Sequence, residues 1–237
     1  MDGNGRWAKS RGLRRNEGHR AGVRNAEAIV RSCGQLGIKY LTLYAFSAEN
    51  WDRPREEVAM LMKLLERFLK AQLDELVENR IRLKVIGRIT ELSPKLQVLI
   101  NQAIETTSGF NEWTLILALN YGARCEVVDA VKNYARAAQN GCEDPAELTW
   151  KRFAGFLYTD DIPDPDLIIR TSGETRLSNF LLLQGAYSEL YFTSLCWPDF
   201  DTERLADAIE SYRRRERRFG KTGEQIRRTA TEPITVN

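Results

Sequence analysis

The sequence predicts a single α/β domain, residues 1–237, with a mainly parallel central sheet flanked by helices. Three observations carry that expectation. Short aromatic and β-branched runs alternate with longer stretches of helical period. One run, WTLILALN at 113–120, is almost wholly apolar, as expected of a strand covered on both faces. Polar stretches then fall at strand ends, where open α/β sheets bind ligands. The 237 residues, 43% of them hydrophobic, suffice for one domain with a sizeable core.

The elements follow in order. Residues 18–36 carry Ala21, Ala26, Ile29, Val30 and Cys33 at helical spacing. KYLTLYAF (39–46) reads as a buried strand, and Pro54 opens a long helix over 55–78. IRLKVIG (81–87) is a strand ending in glycine; Ser93 caps a helix over 94–107. After strand 113–120 come helices over 122–139 and 146–157, strands DLIIRT (166–171) and ELYFT (189–193), and a helix over 201–217. Strand alternating with helix is the pattern of parallel sheets.

Composition excludes several functions. Lys and Arg total 35 against 33 Asp and Glu, a net charge of +2, which argues against a nucleic-acid binder. Four scattered cysteines, Cys33, Cys125, Cys142 and Cys196, form no C-x-x-C pair and predict reduced, buried thiols in a cytoplasmic protein. His19 is the only histidine, which removes multi-histidine zinc chemistry. No run approaches the ~18 apolar residues of a membrane span, and Met1 is followed at once by polar residues, unlike a signal peptide. Attachment to a membrane surface stays open.

Two stretches look built for anions. DGNGRWA has the form G-x-G-x-x-A at Gly3, Gly5 and Ala8, with Glu27 at dinucleotide-fingerprint distance. That fingerprint needs a strand just before and a helix just after. Gly12 and Gly18 make the following residues a poor start for a tightly packed helix, so an oxidoreductase is not expected. A diphosphate cradle remains: glycines admit an anion to the backbone, and Arg6 and Arg15 add charge. Asp2 would repel that anion unless a divalent cation bridged them; the alternative is a capping role. His19 is either a phosphate donor or a local structural hydrogen bond. The second stretch, IRTSGETRLSN at 169–179, offers Arg170, Arg176 and Ser178 around Gly173, a donor set for a second diphosphate.

Between them, FSAENWDRP (46–54) packs Ser47, Glu49, Asn50, Trp51 and Arg53 behind a strand, more polar chemistry than a turn needs. Ser47 and Asn50 could pass a proton and Arg53 could hold a phosphate. No histidine lies nearby in sequence to activate Ser47 as a hydrolase nucleophile. Glu189 sits beside an apolar strand, where a carboxylate needs a cation or donor. Asp160, Asp161 and Asp164 spell D-D-x-x-D, a metal motif of trans-type isoprenyl synthases. That motif works on a helix; Pro163 and Pro165 predict a loop here.

These pieces together resemble the cis-prenyltransferase family, most closely the bacterial undecaprenyl diphosphate synthases. MDGNGRWA, GHRAG, YAFSAENWDRP, ALNYGAR, IRTSGETRLSNFLL, ELYFT, WPDFD and RRERRFG occur in family order across residues 1–220. The resemblance implies a homodimer that uses Mg²⁺ to condense isopentenyl diphosphate onto an allylic diphosphate such as farnesyl diphosphate. The product would be a long-chain polyprenyl diphosphate delivered at the membrane surface. It implies that Asp2 is catalytic and a metal ligand, with Glu189 as second ligand, and that Asn50 is the proton acceptor. Gly3, Asn4, Gly5, Arg6, Trp7, Arg15 and His19 would hold the allylic diphosphate region; Ser47, Ala48, Glu49, Trp51 and Arg53 would line the site. Arg170, Arg176, Leu177 and Ser178 would hold isopentenyl diphosphate, while Arg218 and Gly220 would reach across the dimer. A non-catalytic scaffold subunit of the same family is the competing reading.

Two expectations go with the resemblance. Part of helix 55–78, rich in Ala59, Met60, Leu61, Met62, Leu64, Leu65 and Leu69, should line a tunnel toward strand 81–87. The family usually carries an apolar strand ending in IIMDGNGRW. This chain opens at that Met, so its first strand is expected to lie upstream. Thr175 and Leu183 also depart from the family, standing where histidine and tryptophan are found. The chemistry requires the two diphosphate pockets to adjoin, with Arg6 and Arg176 facing one another.

Overall fold

The computed structural model describes residues 1–215, so Arg218 and Gly220 lie outside the described residues. A short helix α1 (Asn4–Ser10) leads into α2 (Arg15–Gln35). Strand β1 (Tyr40–Ser47) follows, then a 3₁₀ turn (Ala48–Asp52) and α3 (Arg55–Glu78). Next come β2 (Ile81–Ile86), α4 (Pro94–Thr107), β3 (Trp113–Tyr121) and α5 (Ala123–Gln139). A short α6 (Trp150–Ala154), β4 (Leu167–Arg170), β5 (Glu189–Phe192) and α7 (Thr202–Arg213) complete the described chain.

Every strand pair is parallel, as expected. The expected single sheet is described as two: a three-stranded sheet ordered β1-β3-β2 and a two-stranded sheet of β4 and β5. The helix expected over 146–157 is also shorter. Pro145–Glu147 is a separate 3₁₀ turn, and Thr149 starts α6 by accepting from the Arg152 amide.

All nine residues of β3 are buried, which makes it the spine of the larger sheet. Its period of two sorts them onto two faces. Leu115, Leu117 and Leu119 join the main core with Ile29 and Val30 of α2, Phe68 and Leu69 of α3, and Leu96 and Ile100 of α4. Ile116 and Ala118, joined by Tyr121 where the left-handed Asn120 breaks the alternation, form the opposite core with Ala123 and Leu181. A fully buried leucine contributes roughly 1.5–3 kcal/mol, so losing any of the three would matter.

Glycine does the reverse of what the sequence suggested at the amino end. Gly18 and Gly22 do not weaken α2; they let α1 dock against it. A Cβ on Gly18 would lie 2.0 Å from the Asn4 carbonyl oxygen, and one on Gly22 would lie 2.3 Å from Asn4 Oδ1. The helix breaks only between Ser10 and Arg15, where Gly12 is left-handed.

Cys33 alone among the cysteines is buried; Cys142 is exposed. All four are free, and the expectation of buried thiols holds only for Cys33. The D-D-x-x-D stretch is non-helical, as its prolines predict, and Asp161 pairs with Lys84. No helix among the described residues is long and apolar enough to cross a membrane.

Candidate active site

Between the main-core face of β1 and β3 and helices α2 and α3 lies a cavity of about 390 Å³. Its deep wall is apolar: Val23 and Ala26 of α2, Leu61, Leu65 and Phe68 of α3, Leu43 of β1, Leu117 and Leu119 of β3. Its mouth is polar: Asp2, Gly3, Asn4, Gly5, Arg6, Arg15, His19, Asn50 and Arg53. Leu61, Met62, Leu64 and Leu65 of the expected lining do face this cavity, which lies over β1 and β3 rather than toward β2. The sheet order explains this, since β3 lies between β1 and β2. Ala59 is exposed and Leu69 packs in the core, so neither lines the cavity.

Asp2 is fixed to the start of the second anion stretch. Its amide donates to Thr171 Oγ1 at 3.1 Å, and its carbonyl accepts from the Thr171 hydroxyl and the Trp197 amide, both at 2.9 Å. Its carboxylate accepts from the Gly3 amide at 2.8 Å and from Arg170 Nη2 at 3.0 Å. Burial acts to raise the Asp2 carboxyl, but the Arg170 and Gly3 hydrogen bonds outweigh it and hold the group below its usual range.

Gly3 makes this junction possible. It is left-handed at φ 96, and a Cβ there would fall 2.0 Å from Ser172 Oγ. Arg6, in the first turn of α1, donates from Nη1 to the Ser172 carbonyl at 2.9 Å and from Nη2 to Glu174 Oε1 at 3.0 Å. Arg176 takes the other Glu174 oxygen at 2.5 Å. Ser172, Ser178 and Asn179 all have positive φ, at 75, 48 and 61. Such non-glycine residues are uncommon and cluster at functional loops.

The strand following α2 delivers the third group. β1 slips register against β3 between Tyr44 and Phe46, a bulge that re-aims its last residues. Ser47 and Asn50 then cap the 3₁₀ turn reciprocally, the Ser47 amide donating to Asn50 Oδ1 at 3.2 Å. This is turn chemistry, yet Asn50 still faces the cavity. Glu49 accepts from Asn179 Nδ2 at 2.7 Å, and Trp51 donates to Asn120 Oδ1 at 2.8 Å. Burial acts to raise Glu49, but the hydrogen bonds from Asn179, a backbone amide and Ser47, with the charge of Arg124, together hold it below its usual range.

Not every expected residue reaches the cavity. Trp7 turns to Asp199, donating at 2.7 Å, with Arg11 stacked 4.4 Å over its ring. Ser47, Ala48, Glu49 and Trp51 stand beside the cavity rather than on its wall, as do Arg170, Arg176, Leu177 and Ser178. Glu189 lies away from Asp2 along the strand. It opposes Leu167 at the start of β4, whereas Asp2 meets the other end, at Arg170 and Thr171. Three strand steps separate those ends by about 10 Å. Glu189 accepts from Arg215 Nη1 at 2.8 Å. Among the described residues, no group of three or more metal-ligating side chains occurs.

Some site residues were missed. Glu174 and Thr171 lie inside a quoted motif, and their donors and acceptors could have been counted there. Asn120 and Asn179 lie in quoted stretches, but their partners Trp51 and Glu49 are distant in sequence; Glu57 had Arg53 at i,i+4 as a local cue, while its pairing with Arg15 is long-range. His19 is buried, and burial is the main cause lowering its pKa, so the imidazole is neutral near pH 7.

The chain as a whole is similar to known proteins. A family model described as "Putative undecaprenyl diphosphate synthase" matches residues 1–220. The chain belongs to the cis-prenyltransferase family. An isoprenyl transferase of Clostridium perfringens is 50% identical over 220 residues, 93% of this chain and 87% of the relative. One from Brucella abortus is 49% identical over 234 residues, 99% and 92% of the two chains. Among solved structures, lavandulyl diphosphate synthase from Lavandula x intermedia, in complex with dimethylallyl diphosphate, superposes with a TM-score of 0.90 at 40% identity. That match covers 93% of this chain and 95% of the other. A probable undecaprenyl diphosphate synthase from Campylobacter jejuni gives 0.75 at 34%, covering 85% and 92%. This cis-prenyltransferase is thus an enzyme of prenyl-chain transfer, with the parallel α/β fold of its relatives.

Proposed function

We propose that this cis-prenyltransferase condenses isopentenyl diphosphate repeatedly onto an allylic diphosphate, farnesyl diphosphate or a similar starter, to give a long-chain polyprenyl diphosphate. The observation that carries the reading is Arg6, on the cavity wall, and Arg176, beside it, meeting on Glu174. Two basic clusters side by side would bring two diphosphates, and so the two reacting carbons, together. The dimethylallyl diphosphate held by the lavandulyl diphosphate synthase is an allylic diphosphate, which supports the same class of ligand here.

In this reading the allylic diphosphate sits at Gly3, Gly5, Arg6, Arg15 and Arg53, its hydrocarbon running between α2 and α3. Neutral His19 donates a hydrogen bond there. Arg170, Arg176 and Ser178 hold isopentenyl diphosphate. Arg6 and Arg15 stabilise negative charge as the allylic carbon–oxygen bond breaks. The alkene carbon of isopentenyl diphosphate then bonds to the allylic carbon, and a proton leaves its neighbour. Asn50, a weak base, orients that proton, passing it through Ser47 or onto the released diphosphate.

Mg²⁺, when bound, would neutralise the departing diphosphate. Asp2 fits such an ion as a half-exposed carboxylate at the mouth, since magnesium commonly takes one or two carboxylates plus substrate phosphates. Glu189 is the proposed second ligand to that ion, and a homodimer the proposed assembly. Release of a long lipid product accords with work at a membrane surface.

The test is incubation with farnesyl diphosphate, labelled isopentenyl diphosphate and Mg²⁺, followed by extraction of lipid. Labelled polyprenyl diphosphate is the expected result. Absence of label together with tight binding to a catalytically active relative would instead support a scaffold subunit.

A further inference from the structure

The least expected group at the cavity mouth is the carboxylate of Glu57. It occupies the third position of α3, with its side chain only 10% exposed. Its Oε1 lies 3.0 Å from Arg53 Nη1, 3.1 Å from Arg15 Nη2 and 3.4 Å from His19 Nε2. Arg15 and His19 belong to α2, and Arg53 to the segment after β1. One oxygen therefore ties three elements together around the entrance.

An acid placed in an anion site weakens the field that attracts the anion, so its presence requires a reason. Stabilising the start of α3 is not enough. Glu56 meets that need from the neighbouring position, is exposed, and stands in none of these ion pairs. The reason lies in the arginines. Arg15 is 59% exposed and Arg53 36%. Two long guanidinium side chains at one mouth repel each other and are free to extend into water. A buried carboxylate on a rigid helix opposes both effects.

We propose that Glu57 is a positioning residue, clamping Arg15 and Arg53 at the mouth so that an entering diphosphate meets both already in place. The proposal rests on reading this cavity as the allylic diphosphate site. The charge balance agrees: two guanidinium cations, one carboxylate and a neutral imidazole leave one positive charge in excess for the ligand. His19 Nε2 makes no hydrogen bond despite its nearness to Glu57, and so keeps a donor or acceptor in reserve.

The test compares wild type, Glu57→Gln and Glu57→Ala by steady-state kinetics with farnesyl diphosphate and by calorimetric titration with inorganic pyrophosphate. Glu57→Ala is expected to raise KM for the allylic substrate roughly tenfold, with kcat within about threefold, and to weaken pyrophosphate binding in parallel. Glu57→Gln should fall between, because its amide oxygen accepts but carries no charge. The isosteric variant also decides the matter if Glu57→Ala unfolds. Unchanged KM and pyrophosphate affinity in folded Glu57→Gln would overturn the proposal. Tighter binding would overturn it too, by showing that Glu57 only competes with the substrate, and so would a loss confined to kcat. If wild type itself neither binds pyrophosphate nor turns over, the site reading fails; if wild type does both and the variants match it, only the role of Glu57 fails.

Discussion

Arg6 and Arg176 hold opposite oxygens of one carboxylate, with Glu174 Oε1 3.0 Å from Arg6 and Oε2 2.5 Å from Arg176. One arginine comes from the first helix and the other from the loop after β4, so Glu174 fastens the two anion clusters together. Glu174→Ala should therefore raise KM for isopentenyl diphosphate, by about tenfold for one charge-assisted contact. The pair is partly exposed, so thermal stability should hardly change. Kinetics with isopentenyl diphosphate varied, beside a melting curve, would separate these effects. A large drop in melting temperature with KM intact would contradict the assignment.

The Asp2–Arg170 pair predicts an acid limb. Arg170 and the Gly3 amide hold the Asp2 carboxyl below its usual value of 3.8. A depressed carboxyl contributes stability that is fully present above its unfolded value and lost as pH falls through the folded one. Asp2→Asn should thus melt below wild type at neutral pH, and the two curves should converge well below pH 4. Asp2 is 41% exposed, so the neutral-pH difference should be small. Activity is a separate matter: Asp2→Asn should abolish most turnover at every pH.

Close docking of α1 on α2 makes two glycines unequal. Gly18→Ala sets a methyl against the Asn4 backbone, whereas Gly22→Ala meets the Asn4 side chain, which can rotate. Overpacking of this kind costs roughly 1–3 kcal/mol. Gly18→Ala should be the more destabilising in urea titrations, and should also raise KM for the allylic diphosphate by moving Arg6. Equal effects would mean that α1 shifts as a body.

Filling the cavity from α3 should shorten the product without blocking the first condensation. Leu65 lines the apolar wall away from the polar mouth. Leu65→Trp should leave KM for farnesyl diphosphate within about threefold, since the diphosphate contacts are untouched. Chromatography of the labelled products should then show shorter chains. An unchanged product distribution would mean the hydrocarbon takes another route.

The sequence by itself determined the elements and the chemistry of its motifs. β3 was legible because WTLILALN is almost wholly apolar over strand length, and α4 because Ser93 and Pro94 mark its start. Asp2, Arg6, Asn50 and Arg176 drew attention because their polar, charge-rich stretches exceed what a turn needs. Tertiary structure alone decided which of these groups meet. It joined Arg6 to Arg176 through Glu174, set Trp7 on Asp199, and separated Asp2 from Glu189 along the length of β4 and β5. It also made Gly18 and Gly22 a docking surface rather than a weak helix, and found a use for Glu57. The physical reason is range. Propensity, period and capping act within a few residues and are written locally. Ion pairs and cavity walls form between residues far apart in the chain, and only the packing of α2 and α3 over the sheet brings those together.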